Sequence, residues 1–287
     1  MAKGRELKGR IKSVENTKKI TKTMEMVATS KMKRAIDRVA AARPYANALA
    51  EVIGDLYTAE LAAQFPLLRQ PVKVRRIAHL VLTSNRGLCG AFNSNLLKEA
   101  RAQLAELERR GAEVELHVVG RKGIGFFRYL GRPLATANGD IGDKPTAAEA
   151  AGLVDDVMRR FAAGELDALY ITSAKFNSAL STPPQTVQVL PVTPPPAGAT
   201  KRDYLLSPSG EAILSELLPS YVRNAVYRAL VETAAAEQGA RRTAMKSATD
   251  NASDMLTNLR RTYNRARQAQ ITQEIAEIVG GAAALQG

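Results

Sequence analysis

Tryptophan is absent, and aromatic residues make up only 5% of the 287-residue chain. A nucleic-acid surface that works by base stacking needs aromatic side chains among its charges, and this composition supplies few. Cysteine occurs once, at Cys89, so no internal disulfide can form and a reducing compartment is expected. Histidine occurs twice, as His79 and His117, each inside a strand-like pattern. Two separated histidines and one cysteine assemble neither a metal site nor a Cys-His pair, and nothing suggests a Ser-His-Asp arrangement. No metal, cofactor or catalytic residue is therefore expected. No run reaches the roughly 18 apolar residues of a membrane span. The opening MAKGRELKGR lacks the apolar core of a signal peptide. A soluble, cytoplasmic protein is expected.

What the chain does have is positive charge and apolar periodicity. Lys and Arg number 41 against 28 Asp and Glu, a net of +13. That balance calls for an acidic partner: nucleic acid, an anionic membrane surface or an acidic protein surface. Residues 1–40 hold 12 basic and 4 acidic residues, and residues 241–267 hold 7 and 2. Lys8, Lys12, Lys19 and Lys22 share one helix face.

Three segments are expected. Residues 1–60 read as a coiled-coil helix on the heptad register Leu7, Ile11, Val14, then Ala28, Met32, Ala35, Val39, Ala42, Ala46, Leu49, Ile53 and Leu56. In the gap the register falls on Lys18, Thr21 and Glu25, while the apolar residues shift to Ile20, Met24 and Val27. Either that second stripe meets another partner, or the register slips locally. Pro44 is expected to bend the helix. Residues 61–75 read as a linker. Residues 75–205 alternate strand and helix, the pattern of an open, Rossmann-like α/β domain. Strands are expected at Ile77–Thr83, Val114–Val119, Ala168–Ser173 and Thr186–Val192. Helices are expected at Asn93–Arg110, Lys122–Leu130 and Ala147–Ala163, with Pro183, Pro184 and Pro194–Pro196 marking exits. Residues 208–287 are helical again, on the seam Met245, Ala248, Ala252, Met255, Leu259, Thr262, Ala266 and Ala269, with Pro219 a bend or the true start. The terminal helices can pair only antiparallel. At 1.5 Å per residue the first is roughly 80 Å long and the last roughly 110 Å, an overhang of roughly 30 Å. That overhang carries Ile271, Ile275, Ile278 and Val279, and a lone apolar helix in water is marginal.

The glycines test for phosphate chemistry. Ser84–Gly90 (SNRGLCG) follows the first strand, where α/β proteins bind phosphate, and Gly120, Gly123 and Gly125 follow the second. Neither has the Walker spacing or GxGxxG, so turn glycines are the default. Asp140 and Asp143 read as loop punctuation and Cys89 as a buried structural thiol. Two other function classes stay in view: a basic coiled-coil nucleic-acid binder and a nucleotide-binding α/β enzyme. Neither accounts for the apolar overhang.

The run LKGRIKSVENTKKITKTMEMVATSKMKRA resembles the first helix of the gamma subunits of F-type ATP synthases. SNRGLCGAFN is similar to their SDRGLCGGFN element, with Asn85 for Asp and Ala91 for Gly. AMKSATDNA and ARQAQITQEIAEIVGGAAAL resemble their C-terminal helix. The resemblance implies a non-catalytic rotary shaft. It would sit in a ring of three alpha and three beta subunits and touch the epsilon subunit and the membrane c-ring. ATP chemistry would stay in beta, with no nucleic acid bound. It implies contacts with the alpha-beta ring at Met24, Arg241, Gln268, Thr272, Glu274 and Glu277, with acidic loops of beta against the basic stem. The chloroplast two-cysteine insertion is missing. The implied place is the cytoplasmic face of a bacterial plasma membrane, held peripherally.

Overall fold

The computed structural model describes residues 2–56, 64–178, 181–193 and 209–284. Helix α1 (Ala2–Leu56) runs unbroken through Pro44. A 3-10 turn, Pro66–Leu68, leads to β1 (Arg76–Leu82). Then come α2 (Phe92–Arg109), β2 (Glu113–Val119), α3 (Arg121–Tyr129) and β3 (Thr136–Asn138). After these follow α4 (Ala147–Ala162), β4 (Ala168–Ala174), β5 (Pro184–Leu190) and α5 (Gly210–Ala284). The class is α/β with two long terminal helices. By compactness the chain divides into Ala28–Arg241 and a second unit of Met1–Val27 with Arg242–Gly287. Helices α1 and α5 contribute a segment to each.

In the 28–241 unit five strands form one sheet in the order β3-β2-β1-β4-β5. The first four strands are parallel and β5 is antiparallel to β4. Strand β1 is buried from Ile77 to Leu82, as a central parallel strand covered on both faces should be. Its Val81 face packs with Leu97, Leu104 and Phe127 of α2 and α3. Its Leu80 face packs with Val154 and Phe161 of α4, Leu49 and Ile53 of α1, and Leu214, Leu218 and Val222 of α5. Alternate residues of one strand thus serve two cores. A capping box starts α4: Glu149 N donates to Thr146 Oγ1 at 3.2 Å, and Thr146 N donates to Glu149 Oε2 at 2.7 Å. Helices α1 and α5 meet through Ala35, Val39, Val231 and Ala235, running antiparallel.

Four details differ from expectation. The linker at 61–75 is partly docked: Leu67 and Leu68 are buried, and Val192 N donates to Leu67 O. Residues 57–63 and Pro194–Pro196 lie outside the described residues. Pro184 is not an exit but the first residue of β5, a place on an edge strand where its missing N–H costs no ladder bond. Helix α5 begins at Gly210 and runs through Pro219, so Pro219 is not its true start. Strand β3, three residues long, was not anticipated.

In the unit of the helix ends the two segments also run antiparallel, with Glu15 facing Arg260 and Thr21 facing Thr249. The α1 seam holds its phase across the expected gap. Thr21 is buried, Lys18 and Glu25 are half-buried, and Ile20 and Val27 stand outside at 60% and 50% exposure. The register does not slip; the second stripe faces outward. On α5 the seam is Met245, Thr249, Ala252, Leu256 and Leu259, with Met255 55% exposed. The expected seam was right at every second position. From Met245 both the third and the fourth residue on lie near the facing helix. The apolar Ala248 and Met255 were favoured over Thr249 and Leu256, the residues that point inward.

Candidate functional site

The loops that would hold phosphate are occupied by the chain itself. Gly120 has φ 97°, and a Cβ there would lie 2.2 Å from Thr83 O. A Cβ on Gly123 would meet Thr83 Oγ1 and Val118. These glycines let α3 press against the end of β1. The first amides of α3 are spent: Arg121 N donates to Asn85 Oδ1, Lys122 N to Ser84 O, and Gly123 N to Thr83 Oγ1. In the SNRGLCG loop, Ser84 N donates to Asn93 Oδ1 and Phe92 N to Cys89 O. Cys89 is 2% exposed, and burial pushes its thiol up. Asn93 Nδ2 reaches its Sγ at 3.2 Å, so this is a packed thiol. His79 is fully buried, with Nε2 2.7 Å from Thr172 Oγ1, and burial lowers it to about 4. His117 pairs with Thr136. The two histidines stand on opposite faces of the sheet, since His79 is level with Leu116 and Leu80 with His117. Among the described residues no cluster of metal-binding side chains forms.

What remains is a cavity beside these loops, lined by Asn85, Arg86, Arg121, Asp140 and Glu237, and the surfaces of the long helices. Lys8, Lys12, Lys19 and Lys22 are all exposed. Lys19 and Lys22 line one groove, whose walls also include Lys18, Arg260, Glu15 and Leu256. Lys22 Nζ also lies 3.1 Å from Glu25 Oε2. Met24 is half-buried between the exposed Ile20 and Val27. Sequence reasoning missed Lys18 and Arg260, because they line this groove only once the helices pair. The signal available was the basic character of both segments.

Further along α5, Gln268, Thr272, Glu274 and Glu277 are all exposed. Gln270 Nε2 donates to Glu274 Oε1 at 2.8 Å and Gln273 Nε2 to Glu277 Oε1 at 2.9 Å, one turn apart on the same helix. Ile271, Ile275, Ile278 and Val279 are 48–72% exposed. These four, with Gln268, Thr272, Glu274 and Glu277, make a helix surface that is apolar and polar by turns and covered by none of the described residues.

Arg241 is bonded within the chain. It is 8% exposed; its Nη2 donates to Glu237 Oε1 and, at 3.3 Å, to Gly87 O. Burial raises Glu237, and Arg241 opposes that shift. The guanidinium thus ties its own helix to the SNRGLCG loop.

Comparison with known proteins gives the family. A family model described as ATP synthase matches residues 3–285. The chain is 68% identical over its full length to the ATP synthase gamma chain of Gemmatimonas aurantiaca, covering all of that protein. It is 44% identical to the ATP synthase gamma chain of Leptospira biflexa, over 99% of this chain and all of the relative. Among solved structures, a chain of the Euglena gracilis mitochondrial ATP synthase shares the fold with a TM-score of 0.68 at 19% identity, covering 99% of this chain and 95% of that one. A chain of the Tetrahymena thermophila mitochondrial ATP synthase central stalk and c-ring aligns with a TM-score of 0.61 at 25% identity, over 80% of this chain and 99% of that one. The chain belongs to the ATP synthase gamma-chain family.

Proposed function

We propose that this chain is the central rotary shaft of a bacterial F-type ATP synthase and carries no catalytic group of its own. The shaft couples proton-driven rotation of the membrane c-ring to conformational cycling of three beta subunits, which alternate with three alpha subunits. In hydrolysis it runs in reverse. It works peripherally at the cytoplasmic face of the plasma membrane, with the epsilon subunit beside it. No helix among the described residues is long and apolar enough to cross a membrane.

The observation that carries this reading is the uncovered end of α5. From Arg261 to Ala282 no residue is buried, yet the stretch holds three isoleucines and a valine. Such a helix gains stability from a sleeve around it. Small Ala and Gly side chains near its end suit a bearing that guides the axis without locking it. Gln268, Thr272, Glu274 and Glu277 are then polar contacts to the ring, and Met24 with the outward Ile20 and Val27 is a contact of α1. The exposed lysines Lys8, Lys12, Lys19 and Lys22 face acidic protein. Arg241 acts from inside the chain.

The test is reconstitution. The purified chain alone should neither hydrolyse ATP nor bind it with micromolar affinity. Assembled with alpha, beta, epsilon and the membrane sector, it should support ATP-driven proton pumping. Replacing all four lysines by Gln should slow assembly, most at low salt; single changes should be mild, since an exposed pair is worth about 0–1 kcal/mol. ATP turnover by the chain alone, or a pumping complex that forms equally well without it, would refute the proposal.

A further inference from the structure

We infer that Asp143 is a positioning residue of the rotary mechanism: its one carboxylate fastens the sheet to both long helices, so that all three turn together. The inference rests on the shaft reading above. The loop 139–145 follows β3 and is anchored at its root. Ile141 is buried in the core, Asn85 Nδ2 donates to Ile141 O at 2.8 Å, and Asp140 N donates to Asn138 Oδ1 at 3.0 Å. Asn85 uses both ends of its amide here, because its Oδ1 accepts from Arg121 N. The loop therefore moves with the sheet.

At the tip, each oxygen of Asp143 holds a different helix. Oδ2 accepts from Lys31 Nζ of α1 at 2.5 Å, and Oδ1 accepts from Gln238 Nε2 of α5 at 3.2 Å. The backbone carbonyl of Asp143 accepts from Arg38 Nη1 of α1 at 3.3 Å. Gln238 is 3% exposed, so its amide stays aimed at the loop. Around the carboxylate stand Lys31, Arg34, Arg38 and Lys144, a cleft whose charge favours an anion at that point.

Other directional bonds from the sheet domain reach α5: Ala174 N donates to Thr233 Oγ1, Arg223 Nε donates to Asp155 of α4, and Arg241 Nη2 donates to Gly87 O. The apolar contacts run through Leu49, Ile53, Leu214, Leu218 and Val222. Apolar contact is non-directional: it resists separation well and sliding poorly. Charge-assisted hydrogen bonds are directional and shorter, and they fix register. Torque applied to the helices and resisted at the sheet is a sliding load. Asp143 supplies the directional bond to both helices that such a load requires.

The experiment uses the full chain and the assembled complex. In the chain, Asp143→Asn should speed backbone amide exchange in 139–145 by about tenfold, the effect of weakening a charge-assisted bond. In the complex it should lower protons pumped per ATP hydrolysed, while hydrolysis itself continues. Asp143→Glu, which keeps the carboxylate, should bring both readouts back toward wild type, which a role in loop packing alone would not predict. If Asp143→Asn does not assemble, Lys31→Gln tests the same bond and leaves the loop and its α5 contact intact. Unchanged exchange would overturn the clamp. Faster exchange with an unchanged pumping ratio would overturn its part in coupling. A wild-type complex that hydrolyses ATP and pumps nothing would count against the shaft reading instead, with the exchange result still standing.

Discussion

In residues 28–241 the long helices meet through Ala35, Val39, Val231 and Ala235 and share a core with the sheet, α4 included. In the unit of residues 1–27 and 242–287 they meet through Thr21, Thr249, Met245, Ala252 and Leu256, and from Arg261 to Ala282 nothing is buried. The first unit holds most of the buried apolar residues; the second ends in a stretch, 271–282, that is exposed throughout. The same helices therefore obey two rules. Where they carry the sheet, stability is internal and directional ties such as Arg241–Glu237 are affordable inside. In the other unit Ile271, Ile275, Ile278 and Val279 all stand exposed on α5.

The comparison breaks most visibly at Phe161. It is 0% exposed and lies beneath the Arg69 guanidinium, 5.1 Å from its ring centre. Phe161→Ala should destabilise the full chain by about 3–5 kcal/mol. Chemical denaturation of the purified chain would measure it. A loss below about 1 kcal/mol would mean that the sheet unit is no more self-sufficient than the helix ends.

His79 sharpens the same point through pH. Its folded value is depressed to about 4, first by burial and then by the positive charge of His117, against an ordinary 6.5. The unfolded state thus takes up a proton that the folded state refuses. Stability is full above pH 6.5 and falls as pH drops toward 4, by about 3 kcal/mol at most. His79→Gln should flatten that slope in denaturation curves taken across the window. A slope equally steep in the variant would place the proton uptake elsewhere.

Much of this division was legible in the sequence because it is written in local periodicity. The ends of β1, α2, β2, α3, α4 and β4 are each within about two residues of the hydrophobic pattern, where boundary disagreements normally fall. Strand β3, Thr-Ala-Asn, has no pattern to detect; its pairing with His117–Val119 creates it. The α5 seam was misphased because spacing alone does not separate the third residue from the fourth. Arg241 was expected as a ring contact by resemblance; its bond to Gly87, distant in the chain, has no signal in the sequence. Asp143 looked like turn punctuation for the same reason, since Lys31 and Gln238 come to it only in the fold. The uncovered tip, by contrast, was readable in advance, because a helix that outruns its partner is a matter of length.

A smaller effect separates the two seams. Thr249 Oγ1 lies 2.8 Å from Thr21 Oγ1 and the same distance from Met245 O. Thr21 Oγ1 in turn donates to Lys18 O. Thr21→Val removes a buried hydroxyl and leaves the facing one without its cross-helix partner, at a cost of about 0.5–1.5 kcal/mol. The double change Thr21→Val with Thr249→Val removes both and should cost less than the single one, since an apolar pair needs no partner. Denaturation of the three variants would decide it. A double change costing the sum of the two singles would show the hydroxyls acting independently.

The smallest effect in the isolated chain belongs to the tip. Ile275, Ile278 and Val279 are 56%, 72% and 62% exposed, so they contribute little to the stability of the chain alone. Deleting residues 271–287 should change the unfolding free energy of the purified chain by less than about 0.5 kcal/mol, the range of surface changes. In the complex the same side chains would be buried, and fully burying one contributes about 1.5–3 kcal/mol. The deletion should then lower complex yield and proton pumping, while deletion of 282–287 alone, which spares Ile271, Ile275, Ile278 and Val279, is tolerated. Complex yield and ATP-driven pumping across the truncation series check both statements. If the chain alone loses stability on deletion from Ile271, the tip has an internal partner and the contrast between the two units fails. If the complex is indifferent to that deletion, the sleeve is not what these side chains are for.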